Sequence, residues 1–344
     1  MPEFLVAGTI CVDLIPSLDA IPPLDPGHLF EVGALDMRPG GCVANTALAL
    51  AQLGGDVAVG AAIGDDALGA MLLRSLEAEP IRTEGIVTTH GAHTSYSLVI
   101  EADDWDRTFW HHAGANARFD GATLDLNGTP VLHLGYPALL PALLANDGAA
   151  LLALLERAQA GGVTVSLDLA AIPPERRTDA WPAFLQRILP LTDVFVPSRD
   201  DLGTMLGSAA EVEDEQLLEL LIGWGAAVVA LKCGGRGMCL RAASRTRLRR
   251  AGAVISAVAG DWADATSSAR AYSVVSGGTT GAGDAASAGL IFAITRGFGP
   301  ERALRLAAAA GAAAVESHRV PPADELEARI AAGWAFRDGV PATA

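Results

Sequence analysis

Short β-branched or apolar runs alternate with alanine- and leucine-rich helical stretches through most of this chain, and that alternation limits the available folds more than any other feature. Phe4–Val12 and Val57–Ile63 read as strands. Between them Cys42–Leu53 has helical spacing, with Gly54-Gly55 as its stop. Val131–Leu134, Val163–Leu169, Asp193–Val196 and Ala226–Lys232 are further strand-like runs, and Ala149–Ala160 and Glu213–Trp224 are helical stretches between such runs. Repeated β-α-β units of this kind predict an α/β fold: a mostly parallel sheet, covered by helices on both faces and joined by right-handed crossovers. With 344 residues, 51% of them hydrophobic, the chain has the material for a large core.

Two regions break the rhythm. Cys11–Arg38 is rich in Pro, Gly and Asp with little helical pattern, and Thr94–Glu101 and Arg107–His112 flank the polar turn Asp103–Asp106 as a hairpin. Both are too extended to cover a parallel sheet. They predict a small β lid, inserted in two pieces (about 12–38 and 92–118) into a single α/β domain spanning 1–344. A small sheet must bury its outer apolar face somewhere, so a homodimer formed through the lid is expected.

Charge narrows the partners. With 24 Lys+Arg against 40 Asp+Glu the formal net charge is −16, which argues against nucleic acid or an anionic membrane as partner. Cys11, Cys42, Cys233 and Cys239 form no C-x-x-C pair and read as small buried residues in a reducing compartment. The N-terminus carries Glu3 and no basic segment, and no apolar run approaches the ~18 residues of a membrane span. A cytoplasmic protein is expected.

The sharpest local feature is Gly278-Thr279-Thr280-Gly281-Ala282-Gly283-Asp284, followed by the small-residue helix Ala285–Thr295. The amides of Gly281, Ala282 and Gly283 would face an anion at the helix N-terminus, with the Asp284 carboxylate beside it. Such a cradle suits phosphoryl transfer to an alcohol; an ordinary helix entry with Asp284 as a cap is the alternative. No Walker A sequence, G-x-G-x-x-G turn or protein-kinase motif is present. A second pair, Gly40-Gly41, precedes a helix carrying Asn45 one turn beyond Gly41, where close backbone approach and amide hydrogen bonding would suit a polar ligand. Asp13 offers acceptors for two hydroxyls of a polyol, or caps a loop.

Taken together these residues resemble the ribokinase-like (PfkB) carbohydrate and nucleoside kinases over nearly the whole chain. G-G-C-V-A-N-T-A from Gly40, then Gly54 and Gly64, match the N-terminal pattern, and T-T-G-A-G-D from Thr279 to Asp284 matches the C-terminal one. Gly64 to Gly69 is similar to the family's G-x-D-x-x-G, with Asp66 in a capping role, and Gly114-Ala115-Asn116 to its G-A-N. The resemblance implies a ribokinase-like three-layer sandwich and a kinase using ATP and Mg²⁺. Asp284 would be the catalytic base, and Gly281, Ala282 and Gly283 the anion hole. Asp13, Gly40, Gly41, Asn45, Asn116 and Arg107 would contact the substrate. Lys232, Gly234, Gly237 and Thr279, with Gly281 and Gly283, would border ATP, as would the helix around Ala310–Val315. The lid would exclude water. The helix N-terminus is expected to lower the pKa of Asp284.

Departures from the family pattern matter equally. The family's N-x-x-E, which helps hold Mg²⁺ indirectly, stands here as Ser198-Arg199-Asp200-Asp201, one methylene shorter at the carboxylate. Asp168 either lines the phosphate side or is a solvated strand-end carboxylate. Lys232, the sole lysine, either contacts a phosphate or lies on the surface. His111 and His112 alternate on the lid strand, one facing the ligand. The acceptor is a hydroxymethyl group of a sugar, a sugar acid or a nucleoside, Arg107 favouring a carboxylated sugar. A non-catalytic binding relative of the fold is the rival reading. Monovalent-cation activation, by K⁺ for instance, would use backbone carbonyls and leaves no trace in side-chain identity.

Overall fold

Alternate residues of the first strand, β1 (Phe4–Gly8), belong to two different cores. Phe4 and Val6 belong to the core that also holds the helices Gly41–Gln52, Ala282–Thr295 and Pro300–Ser317, whereas Leu5 and Ala7 belong to the core that holds Pro141–Ala160, Arg199–Leu206 and Asp214–Gly223. A strand buried on both faces is the central layer of a three-layer sandwich, which is why these strands read as continuous apolar runs. The computed structural model describes residues 1–21, 26–102, 105–275 and 278–337. Residues 22–25 and 103–104 of the expected lid pieces, and 276–277 and 338–344 of the expected domain, lie outside them.

The remaining strands are β2 (Cys11–Pro16), β3 (Leu35–Gly40), β4 (Val57–Gly64), β5 (Ile81–Thr89), β6 (Tyr96–Ala102), β7 (Trp105–His112), β8 (Val131–Gly135), β9 (Thr164–Asp168), β10 (Val194–Phe195), β11 (Val228–Lys232), β12 (Met238–Ala242) and β13 (Thr266–Ala269). Nine form the large sheet in the order β13-β12-β11-β10-β9-β8-β1-β4-β5. It is parallel from β11 to β5, and β12 and β13 add an antiparallel edge. The other four form a separate sheet, β3-β2-β6-β7.

One expectation needs correction here. Phe4–Val12 is not a single strand: the chain leaves the large sheet at Gly8 and starts the lid at Cys11. Gly8 has φ +127°, and a Cβ on it would stand 2.2 Å from the Gly135 carbonyl oxygen, so only glycine permits the switch. The helix expected at Ala149–Ala160 is the second part of Pro141–Ala160, which breaks at Ala145–Gly148. β3, β5, β12 and β13 fall where the reading of the sequence named no strand.

Small residues bring the two long C-terminal helices together. A Cβ on Gly289 would meet Ala307 Cα at 2.9 Å, so that crossing depends on glycine. All four cysteines are free and buried. Among the described residues no helix is long and apolar enough to cross a membrane.

Candidate active site

The helix Ala282–Thr295 begins at Gly281, whose φ of +80° turns the preceding loop into the helix axis. Asp284 is its third residue, within the first turn, and is 2% exposed. Both carboxylate oxygens are held: Tyr136 Oη donates to Oδ1 at 2.8 Å, and Asn45 Nδ2 donates to Oδ2 at 2.9 Å. The expected lowering of its pKa does not occur. Burial, then the nearby Asp168 charge, raise the Asp284 carboxyl above its ordinary value, and Lys232, Asn45 and Tyr136 oppose them without prevailing.

The start of this helix leaves N–H groups without intrahelical acceptors. The Ala282 N–H turns back to the Thr279 carbonyl at 3.3 Å, so the turn engages one of the three amides expected in the anion hole. Gly281 and Gly283 remain at the helix mouth. Lys232 lies beneath them, its Nζ 3.4 Å from where a Gly283 Cβ would be.

The surface alternative for Lys232 and the solvated alternative for Asp168 are both overturned. Lys232 Nζ donates to Asp168 Oδ2 at 2.6 Å and Oδ1 at 2.9 Å, and lies 3.3 Å from Ser287 Oγ. Asp168 is fully buried at the end of β9, and also accepts from Ser287 Oγ (2.8 Å) and from its neighbour's amide, Leu169 N (2.7 Å). Burial works to lower the Lys232 pKa, but Asp168, Asp201 and Asp284 outweigh it and hold the ammonium above the ordinary lysine range.

Beyond Lys232, Ser198 caps the helix Arg199–Leu206 by accepting from Asp201 N at 3.0 Å and donating to Asp201 Oδ2 at 2.5 Å. Burial pushes the Asp201 carboxyl up to about 6, with Lys232 opposing. Ser198 is thus occupied by the cap. Two buried carboxylates, Asp168 and Asp284, and the partly buried Asp201 act on one ammonium, and the net negative charge they leave suits a hard divalent cation carried on a phosphate.

Across a cleft of about 280 Å³ lies the lid, and Asp13, Arg38, Asn45, Glu101, Thr280 and Gly281 are among the residues lining the space. Asp13 stands opposite Arg38 in the β2–β3 register. Its carboxyl is raised to about 6 by burial, with Cys11 and Ser97 hydrogen bonding and Arg38 opposing and the Asp284 charge adding to the rise. A Cβ on Gly40 would lie 2.3 Å from Asp13 Oδ2, so this glycine makes room for the carboxylate. Behind Asp13, Ser97 Oγ contacts His111 Nδ1 at 3.1 Å; His112, on the opposite face, packs 5.3 Å from the Tyr96 ring.

Several residues expected at the ligand also have partners within the chain. Gly41 (φ +77°) makes its close approach to the chain's own backbone, since a Cβ there would be 2.7 Å from the Thr9 carbonyl oxygen. Asn116 is fully buried, donating to Ile10 O at 2.8 Å and accepting from Ile10 N at 3.4 Å, so it clamps the start of the lid. Asn45 spends its amide N–H on Asp284 while still lining the cleft. Arg107 lies on β7 with its guanidinium 5.9 Å from the Phe109 ring centre, and Arg38 is the arginine lining the cleft. Gly234 (φ +56°) and Gly237 (φ +101°) shape the turn after Lys232, where Cys233 N donates to Gly237 O at 2.8 Å. Asp66 caps its helix through Gly69 N at 2.9 Å.

Tyr136, Arg38 and Glu101 were not singled out from sequence. Tyr136 had one available signal: it follows a strand-ending glycine and precedes Pro137, a position from which the right-handed helical region is disfavoured.

Comparison with known proteins places the chain in a family. It belongs to the pfkB family of carbohydrate kinases, whose pattern it matches over residues 1–323. It is 30% identical over 225 residues to a probable fructokinase-4 of Arabidopsis thaliana, covering 62% of this chain and 64% of that one. The chain thus spans somewhat under two thirds of the length of such curated relatives. Among solved structures it resembles a putative ribokinase II of E. coli in complex with ATP and Mg²⁺ (21% identity, TM-score 0.75, 96% of this chain and 100% of that one). It also resembles an Arabidopsis thaliana ribokinase complexed with ribose and ATP (18% identity, TM-score 0.72, 95% and 98%). These likenesses establish the ribokinase-like fold.

Proposed function

We propose that this chain transfers the γ-phosphoryl group of ATP to a hydroxymethyl group of a sugar or sugar acid. One observation carries the reading. A buried carboxylate, Asp284, is gripped at both oxygens beside an amide-rich helix mouth, and the lid carboxylate Asp13 lines the cleft bordered by Asn45, which holds Asp284, and by Gly281 of that mouth. Neither an ordinary helix cap nor a passive binding pocket requires that juxtaposition.

Asp13 accepts hydrogen bonds from two hydroxyls and orients the acceptor, and lid closure removes competing water. The hydroxymethyl oxygen approaches the γ-phosphorus in line while the bond to the ADP oxygen lengthens. Asp284 receives the hydroxyl proton late, as the new O–P bond forms. The Gly281 and Gly283 amides stabilise charge on the equatorial oxygens, Lys232 adds positive potential beneath them, and the turn at Gly234–Gly237 with Thr279 borders the nucleotide. Asp201 would hold Mg²⁺ indirectly, through water and phosphate, and the bound ion would supply neutralisation of phosphate charge. The raised pKa of Asp284 makes it a better proton acceptor than an exposed aspartate.

The outer lid face supports a homodimer: Met37, Leu14, Leu98 and Trp110 form a cross-strand row, with Met37 48% and Trp110 50% exposed. Free, buried thiols suit a reducing, cytoplasmic setting.

The test is coupled ADP release over sugars, sugar acids and nucleosides, with Mg²⁺ and K⁺ varied. Asp284→Asn is expected to lower kcat by at least about 10³-fold while leaving ligand affinity and thermal midpoint nearly unchanged. Near-normal kcat in that variant would refute Asp284 as base. Ligand binding without turnover by the wild-type chain would favour a non-catalytic relative.

A further inference from the structure

Tyr136 has φ 59° and ψ 47°, the left-handed region that a bulky residue rarely enters. The position is over-determined. Pro137 disfavours the right-handed helical region for its predecessor, Tyr136 N donates to Asp168 O at 3.2 Å, and Tyr136 O accepts from Thr9 Oγ1 (3.3 Å) and Leu139 N (2.9 Å). Backbone strain held in place this firmly clusters at functional sites. Its consequence here is to aim the phenol across the site to Asp284 Oδ1, 2.8 Å away.

We infer that Tyr136 is a positioning residue for phosphoryl transfer, its hydroxyl holding Asp284 ionised and turned so that a free lone pair faces the acceptor. This rests on the reading of Asp284 as base. The charged surroundings make such a donor necessary. Facing Asp284 are Asp168 from β9 and Asp13 from β2, with Asp201 from the helix Arg199–Leu206 beyond Lys232, and the neutral thiols of Cys11 and Cys42. The one ammonium, Lys232 of β11, is bound by Asp168. Only two neutral groups, Asn45 and Tyr136, reach the Asp284 carboxylate directly with side-chain donors among the described residues. Burial and the Asp284 charge hold the Tyr136 phenol well above its ordinary pKa, so it remains a donor throughout the working pH range. A cationic donor in its place would bind the carboxylate more strongly and blunt it as a base.

The experiment is the pH profile of kcat/KM for the best acceptor found in the panel, measured on wild type and Tyr136→Phe, with Asp284→Asn in parallel. Losing one hydrogen bond to an ionised group is expected to move the acid limb up by about one pH unit. kcat should fall by up to about tenfold at pH values below the wild-type limb and recover at high pH, with acceptor KM within about twofold, because the ring and its packing are kept. Site-specific 3-fluorotyrosine at 136, a stronger donor in an unchanged ring, should move the limb down and covers the case in which the phenylalanine variant misfolds. An inactive Asp284→Asn with an unmoved acid limb in both 136 variants would overturn the positioning role alone. An active Asp284→Asn, or no turnover with any panel member, would overturn the base reading beneath it.

Discussion

Replacing Lys232 by methionine tests whether the buried charges of the site are organised as described. The substitution keeps most of the apolar stem and removes an ammonium 2.6 and 2.9 Å from the two oxygens of Asp168. Unit charges 2.6 Å apart attract by about 6 kcal/mol at an effective dielectric of about 20. Part of that is offset because the ammonium no longer has to be stripped of water, so breaking such a pair costs about 3–5 kcal/mol. Asp168 keeps Ser287 Oγ and Leu169 N as donors, which favours the lower end, about 3 kcal/mol. The assay is urea unfolding at pH 7 of wild type, Lys232→Met, Asp168→Asn and the double variant. Once no isolated charge is left, the double variant should lose less than the sum of the single losses, by about 2 kcal/mol. Because the Lys232 pKa is raised in the fold, its contribution is complete below the ordinary lysine value and lost only as pH rises through the higher folded one. A Lys232→Met variant within about 1 kcal/mol of wild type, with no coupling to Asp168, would mean a solvated lysine and refute the argument.

Two further outcomes are expected. With the Asp13 carboxyl at about 6, acceptor KM should be flat from pH 8 to 7 and rise as pH falls through 6, because the protonated form loses acceptor capacity. Asp13→Asn should raise KM and remove that dependence; a wild-type KM unchanged down to pH 5 would refute the role. On the lid, Trp110→Glu places a charge in the exposed apolar row and should shift sedimentation from dimer to monomer at micromolar concentration, whereas a wild-type chain that is already monomeric would dispose of the lid interface.

The parts of this molecule written in local pattern were readable along the chain. The parallel strands announced themselves because both faces are buried, so β1, β4 and β11 are nearly continuous apolar runs. β13, reading Thr-Ser-Ser-Ala at the sheet edge, carries no such signal. Phe4–Val12 reads as one apolar run because composition does not register a change of sheet. The break at Gly8 depends on a close backbone approach to Gly135, more than a hundred residues away, that a side chain would block. The C-terminal Gly-rich motif located Asp284 and the helix mouth, but the same local reasoning mispredicted the direction of its pKa. A helix N-terminus is a one-turn effect, whereas burial and Asp168 arise from the assembled sheet.

Sequence by itself determined the sandwich, the two-piece lid and the residues at the ends of the site, since each depends on periodicity or on a glycine at a fixed offset. Tertiary structure decided what those residues touch. Asn116 became a clamp on Ile10, Asn45 a donor to Asp284, and the sole lysine the buried partner of Asp168. Tyr136 entered the site only through the fold. A hydrogen bond is decided within a few tenths of an ångström between groups brought together by different elements, and residue identity along a chain does not carry that distance.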